Sequence, residues 1–230
     1  DAEGLVRLHK SPVTQNTVRR QLVCFYNWLR RHHYAAENPF ESVATATADE
    51  KAVDIYKPGD VAKLFAKAEE TAPALIPAMA LEFFAGVRTS GVERMRPADL
   101  RQAAGEICLP GWASKTRRAY FAPMNATLQA WLAAYPPRGC PPHGVVMPLS
   151  LSRWHKALRR LHADAEVSLV PNGARHSFAT YLYARNGDAV QTACALGHFG
   201  NPQTLARHYR GLADAEAAKA YFAVLREKLV

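Results

Sequence analysis

The chain has 230 residues, 49% of them hydrophobic and 21% charged. That length suits one large or two small domains with a real core, and the composition excludes a disordered, collagen-like or coiled-coil chain. Lys and Arg number 29 against 20 Asp and Glu, a formal charge of +9, which points to an anionic partner, nucleic acid first.

From Thr14 to Arg31 the apolar residues Val18, Leu22, Phe25, Tyr26 and Leu29 recur at helical spacing. The opposite face carries Arg19, Arg20, Arg30 and Arg31, and Asn38-Pro39 ends the neighbourhood. The Ala- and Thr-rich stretch from Val43 to Lys51 lacks periodicity. The organisation expected is therefore an N-terminal piece over 1–45, a linker over 46–56 and a larger domain over 57–230. Lys57-Pro58-Gly59-Asp60 opens that domain as a helix start. Helices are expected at 60–70 and 74–86. The run from Ala72 to Val87 is too short to span a bilayer and is broken by Pro73, Pro77 and Glu82. Strands are expected at 105–109 and 118–122, flanking a basic turn, Ser114-Lys115-Thr116-Arg117-Arg118. Further helices are expected at 125–134, 151–164, 173–186, 189–196 and 202–209. A last amphipathic helix at 213–228 puts Ala217, Tyr221, Val224 and Leu225 on one face. That face packs either on a neighbouring protomer or back on its own core.

Absent motifs narrow the chemistry. There is no G-x-x-x-x-G-K-[ST], G-x-G-x-x-G, H-E-x-x-H or G-x-S-x-G, so no nucleotide, zinc-protease or serine-hydrolase site is expected. Cys24, Cys108, Cys140 and Cys194 form no C-x-x-C pair and suit a reducing compartment better than a metal site. The expectation is no metal and no cofactor.

Two islands stand out beside the basic turn: Gly86-Val87-Arg88-Thr89-Ser90-Gly91, and the run from Pro171 to Arg210. Asn172 and Arg175 are three apart at a helix entry, where free N–H groups and a cation suit an anion such as phosphate. Each residue has an ordinary reading as well. Asn172 is a favoured helix cap, Arg175 a surface ion-pair residue, Lys115 a solvated lysine, His198 a loop histidine and Tyr209 one of nine tyrosines.

Order and spacing decide between these readings, and they resemble the tyrosine recombinase family, or phage-type integrases. Gly86-Val87-Arg88 resembles the turn before the family's first arginine. Lys115 matches its hairpin lysine, and Arg175-His176-Ser177-Phe178-Ala179-Thr180 its second box. Leu196-Gly197-His198 matches its Leu-Gly-His, and His208-Tyr209-Arg210 the segment of its nucleophile. The resemblance covers about residues 14–222 and implies a mainly helical α+β fold with a small antiparallel sheet. The piece at 14–39 resembles the last helix of the family's core-binding domain.

Implied with the fold is a site-specific recombinase or integrase that cleaves and rejoins double-stranded DNA through a 3′-phosphotyrosyl intermediate. Arg88 and Arg175 would clamp the phosphate, and Lys115 would protonate the leaving 5′-oxygen. His198 would bond the phosphate or assist proton transfer from Tyr209, and Asn172 would bond the phosphate, with Tyr209 attacking. Arg19, Arg20, Arg117 and Arg118 would contact the DNA backbone. A homo-tetramer on paired sites, no membrane, no nucleotide and a cytoplasmic, nucleoid-associated place in a bacterium, phage or mobile element follow from the same resemblance. Two positions depart from the family: Gly91 stands where an acid is usual, and Asn172 where His is usual. The alternatives are a catalytically weakened DNA-binding protein of this fold and a type IB topoisomerase-like activity.

Overall fold

Residues 1–48, 53–114, 117–137, 144–197, 209 and 211–225 are described by the computed structural model. They fall into two compact units, 1–52 and 53–230.

In the first unit, α1 (Ala2–Arg7) is capped by the Asp1 side chain, which accepts from Gly4 N. Its six residues are too few for a periodic signal. Ser11-Pro12 starts α2 (Pro12–Arg31), as proline at the first helical position allows. Leu22, Val23 and Tyr26 pack against Val6, Phe40 and Val43. Side chains of α2 tie down the following extended segment. Asn16 exchanges two bonds with the backbone of Ala46, and Arg19 donates to the carbonyls of Val43 and Glu41. Phe25 and Trp28 remain about half exposed.

The second unit is built around α4 (Ile76–Ala85), all ten of whose residues are buried. A helix apolar on every side belongs in the middle of a core, and here α6 (Ala126–Ala134) and α8 (Gly173–Asn186) pack on it. Around them lie α3 (Pro58–Thr71), the one-turn α5 (Thr89–Val92), α7 (Leu151–Asp164) and α9 (Ala189–Ala195). A three-stranded antiparallel sheet runs in the order β1 (Leu100–Arg101), β2 (Glu106–Leu109), β3 (Tyr120–Pro123). Leu100 opposes Ile107, and Cys108 opposes Phe121. The sequence reading found two of these strands. The third is two residues long and exists only because β2 pairs with it.

The last helix, α10 (Ala215–Tyr221), is shorter than the 213–228 expected. It stops because α6 captures its end: Thr127 Oγ1 donates to Phe222 O and Trp131 Nε1 to Val224 O. These bonds satisfy carbonyls that a helix end leaves without partners. Of the two placements open from the sequence, the fold takes its own core. Tyr221 is fully buried, stacks on Tyr181 at 4.3 Å and donates its hydroxyl to Phe83 O. Residues 226–228 of the expected helix, and 202–208 of the one before it, lie outside the described residues.

Candidate active site

The end of α4 sets up the site. Gly86 closes the helix in the left-handed region at φ 61. A Cβ there would sit 2.5 Å from Phe178 and 2.8 Å from Leu196, so conformation and space both require glycine. Arg88 follows two residues on, half-buried at the entry to α5.

Arg175, in the first turn of α8, reaches back to this corner. Its Nη1 donates to Gly86 O and its Nη2 to Leu196 O at 2.8 Å. It also hydrogen-bonds the Tyr120 side chain on β3. One guanidinium thus joins the ends of α4 and α9 to the sheet. Burial pushes its pKa down to about 10, and the neighbouring Arg88 charge adds to the shift, while Tyr120 and Tyr209 oppose it. It therefore stays cationic at neutral pH. Burial likewise raises the Tyr120 phenol, against the pull of Arg175 and Arg88.

Tyr209 is half-buried, and its hydroxyl lies 2.9 Å from His176 Nδ1. Burial raises its pKa, while Arg175 and then Arg88 draw it down. Arg88, Arg175 and Tyr209, assembled from three separate stretches of sequence, act on one another here. Asn172 lines the same cavity of about 210 Å³ as Arg88 and Arg175. It does not act as a side-chain cap: it sits at φ 54, and its side chain makes no capping bond. Asn is among the few non-glycine residues that tolerate this conformation. Tyr56 holds the entry in place. Its hydroxyl takes a bond from Val170 N and faces His162 Nε2 at 2.9 Å, and its ring leaves no room for a Cβ on Gly173.

Lys115 and His198 lie outside the described residues. Arg117 and Arg118 are exposed, with Arg117 at φ 56. In the first unit Arg20 is exposed, whereas the Arg19 guanidinium donates to the carbonyls of Val43 and Glu41.

Three residues here went unassigned in the sequence. His176 was visible inside the second box but given no task. Tyr120 looked like an ordinary strand residue. Glu82 is the one acid in the apolar run, and that was its signal. It is 6% exposed, bonds Thr89, and leaves Oε1 without a partner. Burial pushes it to about 7. Among the described residues no group of His, Cys, Asp or Glu is arranged to hold a metal, and no helix is long and apolar enough to cross a membrane.

No protein-family model matches this sequence, and no curated protein matches it. Solved structures do. A lambda integrase dimer bound to a COC′ core site shares 16% identity at a TM-score of 0.68, over 88% of this chain and 75% of that one. The Tn1549 transposon integrase in complex with circular intermediate DNA shares 17% at 0.69, over 96% and 83%. The XerH site-specific recombinase in a post-cleavage complex with difH shares 17% at 0.65, over 86% and 64%. The helical core and the three-stranded antiparallel sheet thus have the fold of the tyrosine recombinase catalytic domain.

Proposed function

We propose that this chain is a DNA strand transferase of the tyrosine recombinase type, a site-specific recombinase or integrase, with Tyr209 as nucleophile. The observation that carries the reading is the Tyr209 hydroxyl, held 2.9 Å from an imidazole and under the field of two guanidinium groups. In cleavage the Tyr209 oxygen bonds to phosphorus and the bond to the 5′-oxygen breaks. Arg88 and Arg175 stabilise the charge that builds on the nonbridging oxygens, worth roughly 3–4 kcal/mol of barrier for one preorganised donor. The phosphotyrosine conserves the energy of the broken bond, so rejoining needs no nucleotide. The resemblance gives Lys115 the proton for the leaving oxygen, and His198 a bond to the phosphate or a part in proton transfer from Tyr209. Assembly as a tetramer on paired sites belongs to the same proposal, supported by the dimeric and tetrameric lambda integrase complexes.

The test takes a duplex that the chain selects from a randomised pool. It is nicked so that the short 5′-hydroxyl fragment diffuses away and the covalent adduct accumulates. Wild type forms an adduct on a denaturing gel that maps to Tyr209. Tyr209→Phe removes one oxygen, so it loses the adduct and keeps its DNA affinity. An adduct that survives in that variant, or maps to Tyr181 or Tyr183, overturns the assignment. Gly91, where an acid is usual, favours the second reading, a DNA-binding protein with a weakened site. A wild-type chain that binds the selected duplex and yields no adduct establishes that one.

A further inference from the structure

We propose that His176 is the proton acceptor for Tyr209, taking the phenolic proton on Nδ1 as the tyrosine attacks phosphorus and returning it when the strand is rejoined. The inference rests on the strand-transfer reading above and names a group that reading leaves without a task.

The geometry comes first. A general base must lie within hydrogen-bond reach of the proton it removes, and His176 Nδ1 is 2.9 Å from the Tyr209 oxygen. The rings meet at a tilt of 42°, with centroids 6.0 Å apart. The rings are tilted rather than stacked, and the contact runs through Nδ1. The backbone of His176 is held in the first turn of α8, where its N donates to Asn172 O at 3.1 Å.

Chemistry then separates His176 from its neighbours. Arg88 and Arg175 draw the phenol toward ionisation, but a guanidinium has no lone pair to accept the proton. The Asn172 amide does not take up protons near neutral pH. An imidazole does, with an ordinary pKa near about 6.5. The need is real, because burial raises the Tyr209 phenol above its ordinary value, already near about 10. The two arginines lower the energy of the anion, and His176 provides a place for the proton.

The step balances. The Tyr209 Oη–P bond forms, the P–O5′ bond breaks with its electron pair on the 5′-oxygen, and that oxygen takes a proton from the lysine ammonium. The tyrosine's own proton stays on His176 as imidazolium while the phosphotyrosine exists. When another 5′-hydroxyl attacks, its proton passes to the lysine amine, the P–O bond to Tyr209 breaks, and the imidazolium proton goes back to the phenol oxygen.

The test measures single-turnover adduct formation on the selected nicked duplex between pH 5.5 and 9, for wild type, His176→Gln and His176→Ala. Among the described residues, the charged groups that act on the Tyr209 hydroxyl are Arg175 and Arg88. Wild type shows a rate that rises with pH and levels above the histidine range. His176→Gln keeps a hydrogen-bonding side chain and loses about 10²–10³-fold in rate near neutral pH. It also loses the plateau, its rate climbing on toward the phenol's own pKa. Free imidazole restores part of the rate to His176→Ala. A Gln variant at the wild-type rate overturns the proposal. So does one that is slow but keeps the wild-type pH profile without imidazole rescue of the Ala variant, since that pattern marks a packing role. Absence of adduct from wild type overturns the strand-transfer reading and this assignment with it, whereas adduct from wild type and both variants at equal rate defeats His176 alone.

Discussion

Glu82 is a carboxyl group buried in the middle of an apolar helix, with one oxygen bonded to Thr89 and the other without a partner. Folding holds its proton up to about pH 7, whereas the unfolded chain releases it in the usual carboxylate range. Between those values the folded state binds more protons, so stability falls as pH rises through the window and is flat above it. A shift of this size is worth about 3 kcal/mol. Glu82→Gln removes the titration. The variant should match wild type near pH 4 and exceed it at pH 8 by up to that amount, in urea melts at the two pH values. Equal pH dependence of the two proteins would show that Glu82 is ionised in the fold. His176 and Tyr120 teach a related lesson at this scale. Nothing in their local sequence separates them from a box residue and a strand residue. Their tasks arise when Tyr209 and Arg175 arrive from 33 and 55 positions away.

At the scale of elements, the long helices were legible because each carries a periodic apolar face or a cap within its own sequence. Pro58 marks a start, whereas α2 begins at Pro12, two residues before the Thr14 expected; in α6 the Asn125 side chain accepts from Leu128 N as a cap should. The short elements were not legible. α1, α5 and β1 have six, four and two residues, too few for a period, and tertiary contacts decide them. The end of α10 belongs to the same class, since side chains of α6 terminate it. This helix is a structural closure of the second unit: Tyr221 fills the space against Phe84 and Tyr181. Tyr221→Ala should cost about 3–5 kcal/mol, read as a loss of several degrees in thermal melting, and Tyr221→Phe only about 0.5–1.5 kcal/mol for one hydrogen bond. A Tyr221→Ala protein that melts with wild type would mean that the helix is held elsewhere.

For the second unit as a whole, the order of Arg88, Arg175 and Tyr209 along the chain resembles a known arrangement, and in the fold the three act on one another. That order did not say what holds them there. That answer is the guanidinium of Arg175, whose donors close the corner between α4, α9 and β3. The same group sits beside Arg88, and their mutual repulsion contributes to its depressed pKa. An anion between the two would relieve the repulsion in the folded state and find no counterpart in the unfolded chain. Thermal stability is therefore linked to the occupant of the site. By mass action, phosphate at a hundred times its dissociation constant adds about 2.7 kcal/mol, a rise of several degrees for a unit of this size. Phosphate should raise the melting temperature above that in chloride at equal ionic strength, and Arg88→Gln should abolish the difference. An equal rise in that variant would place the anion elsewhere. If the strand-transfer proposal holds, the protein is sturdiest while a backbone phosphate of DNA occupies this corner and weakest between substrates, so the same two charges that would grip the substrate also set when the fold is firmest.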